Sequence, residues 1–118
     1  MSYNAVYFKL QEMRCKCGKC FGATQEQTLD NELLWRLDVL RAAYGDKIFI
    51  NSGWRCRAHN VAVGGADGSY HMEGRAADIT ADRIGDLMQA AERLNILPRF
   101  KFLELIKYPQ KKFIHVAV

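Results

Sequence analysis

Two histidines and an aspartate stand at spacings that suit a metal ion. His71 and Asp78 fall in Ser69-Tyr70-His71-Met72-Glu73-Gly74-Arg75-Ala76-Ala77-Asp78, and His115 follows in Phe113-Ile114-His115-Val116. Two neutral imidazoles and one carboxylate are the set that a catalytic zinc takes when its fourth position stays open for water. A lone histidine in an apolar strand is more often a surface or hydrogen-bonded core residue, so it is the company of the other two that points to metal. Gly74 permits a sharp turn just after the first candidate ligand. Residues 75–80 then read as a short strand, with Asp78 on the face of Ala76 and Thr80 and with Ala77 and Ile79 on the other.

Elements able to hold such a site follow from periodicity. Residues 29–44 carry Leu29, Leu33, Leu34, Leu37, Leu40 and Tyr44 at helical spacing, with Thr28 or Asp30 as cap and Gly45 just past the end. Residues 48–51 form a short strand. A second helix is expected over 83–94, capped by Asp82, with Leu87, Met88, Ala91 and Leu94 facing inward. Residues 100–108 and 112–118 read as the arms of a hairpin around Pro109-Gln110-Lys111. The fold class is α+β, a small antiparallel sheet with helices packed on one side and metal ligands drawn from the sheet and its flanking loop.

With 118 residues, 49% of them hydrophobic, the chain can bury the core of one domain over 1–118. Within it, 1–28 is a cysteine-rich N-terminal segment. No apolar run suffices to cross a bilayer, and Met1-Ser2-Tyr3-Asn4 does not open an export signal. The charge of +4 suits an anionic cell wall and equally nucleic acid. The basic residues are scattered, with Lys107, Lys111 and Lys112 the tightest group, and they read mostly as a solvated face.

The Ser-x-His-x-x-Gly-x-Ala-x-Asp run with a later His resembles the zinc D-alanyl-D-alanine carboxypeptidases. Their relatives include vancomycin-resistance peptidases, phage endolysins and the hedgehog domain. Upstream, Asn51-Ser52-Gly53-Trp54-Arg55-Cys56-Arg57-Ala58-His59-Asn60 followed by Val63-Gly64-Gly65-Ala66 is similar to a segment of the small single-domain members, so the likeness covers residues 29–118. It implies Zn2+ on His71, Asp78 and His115, and a monomer that acts on the peptidoglycan stem peptide without nucleic acid or membrane insertion. Such a protein would be made in the cytoplasm and would reach the wall only if released. The resemblance also implies that Arg55 binds substrate and stabilises negative charge, where a surface ion pair is the plain reading. Ser69 would hydrogen-bond substrate, against plain turn stabilisation after Asp67-Gly68. His59 and Trp54 read as structural.

Where many small members have His-x-Asp, this chain has His115-Val116-Ala117, so the general base must come from elsewhere. Glu73 lies in the bend before Gly74. Glu104 has the better placing, because a turn over 108–112 makes paired residues sum to about 221 and sets Glu104 opposite Ala117.

Cys15, Cys17, Cys20 and Cys56 could form a structural zinc site, make two disulfides or stay as thiols. Among function classes, a zinc peptidase that cuts the stem peptide leads. A nucleobase deaminase, suggested by His71-Met72-Glu73, fails because its cysteine pair should follow that element, and here it precedes it. A non-catalytic wall-binding or nucleic-acid-binding module is the alternative.

Overall fold

The computed structural model describes residues 5–17 and 29–118. Helix α1 (Asn31–Tyr44) begins at Asp30, whose side chain accepts from the Glu32 N–H, and stops at Gly45 in the left-handed region. Of the two expected caps Asp30 is thus the one used, while Thr28 lies outside the described residues. Leu33, Leu34, Leu37, Leu40 and Tyr44 are all buried. Strand β1 (Phe49–Ser52) follows, then a short helix α2 (Arg57–Ala62) that the sequence reading left unassigned. After a 3-10 helix (Tyr70–Glu73) come β2 (Ala76–Thr80), α3 (Ile84–Asn95), β3 (Glu104–Tyr108) and β4 (Phe113–Ala117).

The four strands form an antiparallel sheet in the order β1-β2-β4-β3. Its two faces divide the work. Ile50, Ala77, Ile79, Ile114 and Val116 join the leucines of α1 and Leu87 and Ala91 of α3 in one hydrophobic core. Asp78 and His115, directly opposite each other on β2 and β4, point to the other face. The β1–β2 connection, with α2 and the 3-10 helix, reaches over that second face and delivers His71 to Asp78.

Helix α3 departs from expectation at its start. It begins at Ile84 with Arg83 in the cap position and no side-chain cap, so Asp82 does not cap it. Instead the Arg83 N–H donates to the Tyr44 hydroxyl at 3.2 Å and its guanidinium pairs with Asp86 at 3.3 Å. The hairpin arms are shorter than expected, yet the register holds, with Glu104 opposite Ala117 and Tyr108 opposite Phe113. Phe8 and Met13, from the N-terminal segment, lie in the same core as α1. Asp38 ties that segment down by accepting the N–H groups of Val6 at 2.7 Å and Tyr7 at 3.0 Å. Lys107 pairs with Glu92, while Lys111 and Lys112 are exposed, as a solvated face requires. No helix among the described residues is long and apolar enough to cross a membrane.

Candidate metal centre

His71, Asp78 and His115 converge, each offering a ligand atom within 4.8 Å of the others. His71 reaches the group from the 3-10 helix, which Ser69 opens by accepting the His71 N–H at 3.2 Å. Gly74 closes it at φ 70°, a conformation that other residues adopt only under strain. His71 is 2% exposed.

Its two ring nitrogens have distinct tasks. Nδ1 lies 2.8 Å from the carbonyl oxygen of Gly53, which can only accept, so Nδ1 carries the proton. Nε2 is buried and without a hydrogen-bond partner among the described residues. It sits 3.3 Å from Asp78 Oδ1. A cation at this point, either a proton on Nε2 or a metal ion, satisfies both atoms, and fixing one nitrogen by a carbonyl to free the other is how a ligating histidine is oriented. Gly53 itself packs against the N-terminal segment, where a Cβ would fall 2.6 Å from the Met13 carbonyl oxygen.

His115 answers from β4. Its Nδ1 is 3.0 Å from Asp78 Oδ1 and its Nε2 is 2.8 Å from Glu104 Oε1. Burial opposes a charge on this ring, but hydrogen bonds and attraction from Asp78 and Glu104 outweigh it and raise its pKa. For Asp78 burial likewise favours the neutral form. The hydrogen bond from His115 and the nearby His71 more than offset that and hold the carboxyl well below its ordinary range.

Asp78 Oδ2 belongs to Arg55. The guanidinium donates to it at 3.1 Å, to Ser52 Oγ at 3.0 Å and to Asn60 Oδ1 at 3.2 Å. With a side chain 12% exposed, Arg55 is no loose surface pair. Asn60 is itself buried and bonds the Ala66 carbonyl at 3.0 Å. Arg55, His71, Asp78 and His115 line a cleft of about 470 Å³ together with Ser69, Glu104 and Tyr108. Glu73 does not join it, for its half-exposed carboxylate lies 3.6 Å from the Arg75 guanidinium. Trp54 packs partly buried against the core.

Gly53, Ser52 and Asn60 are the parts of this site to which the sequence reading gave no role. All three stand inside the segment that carried the resemblance, which was the available signal. A carbonyl acceptor has no side-chain signature, and α2 is too short to show helical periodicity.

The family described as Peptidase M15 matches residues 6–117, almost the whole chain and well upstream of residue 29. The zinc D-Ala-D-Ala carboxypeptidase of Streptomyces albus G is 48% identical over 61 residues, which make up 49% of this chain and 24% of that protein. The chain thus spans about a quarter of the length of that relative.

Proposed function

The chain belongs to the peptidase M15 family, and from that premise we propose that it is a zinc metallopeptidase that hydrolyses peptide bonds in the peptidoglycan stem, as a D,D-carboxypeptidase or an endopeptidase. The partial relative's name supports both the metal and the substrate class. The observation that carries the proposal is the bare, buried Nε2 of His71 facing Asp78 and His115 at the floor of an open cleft.

His71 Nε2, an Asp78 oxygen and His115 Nδ1 would hold the zinc. Bound there, zinc supplies a Lewis acid for a scissile carbonyl and lowers the pKa of water toward about 7. Each protein group then has a defined task. Gly53 keeps the proton on His71 Nδ1. Arg55 fixes the Asp78 carboxylate through Oδ2 and borders the cleft, where its positive charge meets a substrate carboxylate or a developing oxyanion. Ser69 uses its oxygen to cap the 3-10 helix and keeps a hydroxyl proton to donate to substrate.

Glu104 is the proposed general base. It stands opposite Ala117 on the neighbouring strand, supplying from β3 the carboxylate that position 117 lacks. Its Oε1 holds the Nε2 proton of His115, and Oε2, on a side chain 39% exposed, remains to take a proton from attacking water and pass it to the leaving amine. This placing supports a catalytic reading despite Ala117.

The test is mass spectrometry of purified muropeptides after incubation with zinc-loaded protein. Loss of a terminal D-Ala identifies a carboxypeptidase, and conversion of cross-linked dimers to monomers an endopeptidase. Unchanged muropeptides with zinc at the His71 site would overturn the proposal.

A further inference from the structure

A second cluster lies where the loop after β1 meets the N-terminal segment. Cys15 Sγ is 3.7 Å from Cys56 Sγ, and Cys17 Sγ is 3.9 Å from it. All three sulfurs lie within 4.8 Å of one another. Four zinc–sulfur bonds of about 2.3 Å in a tetrahedron hold sulfurs about 3.8 Å apart. A disulfide needs about 2.05 Å and joins one sulfur to one partner, whereas Cys56 keeps the same wide spacing to two.

The surroundings also treat these sulfurs as acceptors. The Cys56 N–H points at Cys15 Sγ and the His59 N–H at Cys56 Sγ, both at 3.4 Å. Hydrogen bonds of this kind strengthen when the acceptor is ionised. Cys15 is 2% exposed. Burial raises its pKa, against the pull of the Cys56 and Cys17 N–H groups, so without a cation this thiol keeps its proton.

We propose that Cys15, Cys17 and Cys56 hold a structural zinc ion that clips the N-terminal segment to the loop carrying Arg55. Soft thiolates favour zinc among the common divalent ions. On binding, each thiol releases its proton to solvent and no electron is transferred. Cys20 completes a Cys-x-x-Cys spacing with Cys17 but lies outside the described residues, and the three thiolates suffice to define the site.

The clip bears on the histidine centre through three consecutive residues. Trp54 N–H donates to the Met13 carbonyl at 2.8 Å, Gly53 gives its carbonyl to His71 Nδ1, and Arg55 N–H donates to the His71 carbonyl at 3.0 Å. Residues 53–56 therefore touch both centres. Releasing Cys56 frees the strip that orients His71, so the histidine centre should bind its own ion more weakly.

The experiment counts metal on the full-length chain, loaded with zinc and freed of unbound ion, and does not depend on peptidase activity. Wild type is expected to carry two ions per chain and Asp78→Ala one, the latter held by the cysteines. Cobalt(II) in place of zinc on Asp78→Ala should give an intense thiolate charge-transfer band in the near ultraviolet, lost in Asp78→Ala/Cys56→Ser. Because Cys56→Ser can itself unfold the chain, the deciding sample is Asp78→Ala, whose cysteines are intact. Asp78→Ala that retains no metal and shows no cobalt–thiolate band would overturn the clip, as would an anaerobic mass showing these thiols joined in a disulfide. If the clip holds while the peptidase reading fails, the band persists and muropeptides stay unchanged, so the two failures are distinguishable.

Discussion

The histidine centre and the cysteine cluster differ in what holds their donors in place. Asp78 and His115 are opposite residues of an antiparallel ladder, so hydrogen bonds of the sheet set their separation before any ion arrives. His71 is delivered to them by a capped 3-10 helix and a carbonyl at 2.8 Å. Cys15 and Cys17 on one side and Cys56 on the other sit about 40 residues apart in the chain, outside any strand ladder, and are brought together by the packing of the N-terminal segment and by N–H···S contacts. A strand ladder suits a centre that must keep a position open, because geometry survives without a full coordination shell. Loops suit a centre whose ion is itself the fastener.

The most damaging way to probe the contrast is to delete a ligand of the histidine centre. His71→Ala or Asp78→Ala should remove the zinc of the cleft and lower muropeptide turnover by roughly a thousandfold or more, while the fold and the thiolate-bound ion persist. Metal counting with thermal unfolding checks both halves. Near-stoichiometric metal at the histidine centre of either variant would break the assignment.

Next in size is Glu104→Gln. The amide oxygen can still accept the His115 Nε2 proton, so the ring stays in place while basicity is lost. Turnover should fall by about two orders of magnitude or more with zinc retained. Near-normal turnover would leave Glu104 as a positioning residue for His115 alone, and Glu104→Ala would then show its effect in metal affinity instead.

Arg55→Ala comes third. It strips Asp78, Ser52 and Asn60 of a shared partner inside the cleft wall, and a loss of about 2 to 4 kcal/mol in kcat/KM is expected. Arg55→Lys should restore only part of it, because an ammonium cannot fork to three acceptors at once. Unchanged kinetics in Arg55→Ala would show that the ladder alone positions Asp78.

The same division explains what could be read from the sequence. Period and turn length set the strands, so the pairing of Glu104 with Ala117 followed from residue numbers and the face of Asp78 from the two-residue period, while the pairing of Asp78 with His115 across β2 and β4 did not. The α1 leucines and the Asp30 and Gly45 boundaries followed from helical spacing and cap chemistry. What stayed hidden depends on backbone atoms or on contacts distant in sequence. The Gly53 carbonyl has no side chain to announce it. Asp38 looks like the polar side of an amphipathic helix, yet it is buried under two N–H groups of the N-terminal segment. Asp82 has a cap residue's chemistry, but Arg83 takes the cap position and gives its N–H to Tyr44.

The gentlest probe is pH, which separates the two centres by the protons each must shed. In the metal-free chain the Asp78 and Glu104 carboxylates keep a proton on His115 to a higher pH than an ordinary histidine holds one. The resulting ion pairs stabilise the fold fully below the ordinary histidine pKa and fade as pH rises through the raised value. Zinc needs His115 neutral at Nδ1, so the sign for metal reverses. Affinity is highest above the raised pKa and falls about tenfold for each pH unit below it, one proton being displaced per ion. At the cysteine cluster the ordinary thiol pKa is about 8.5, and burial moves Cys15 upward despite its N–H partners. Each thiol that binds must shed its proton, so affinity there should fall more steeply with falling pH than at the histidine centre. Chelator competition at several pH values, on Asp78→Ala for the thiolate ion and on the wild type for both ions, measures the two slopes. Equal slopes would mean that one set of donors binds both ions, and the contrast between ladder and loop would collapse.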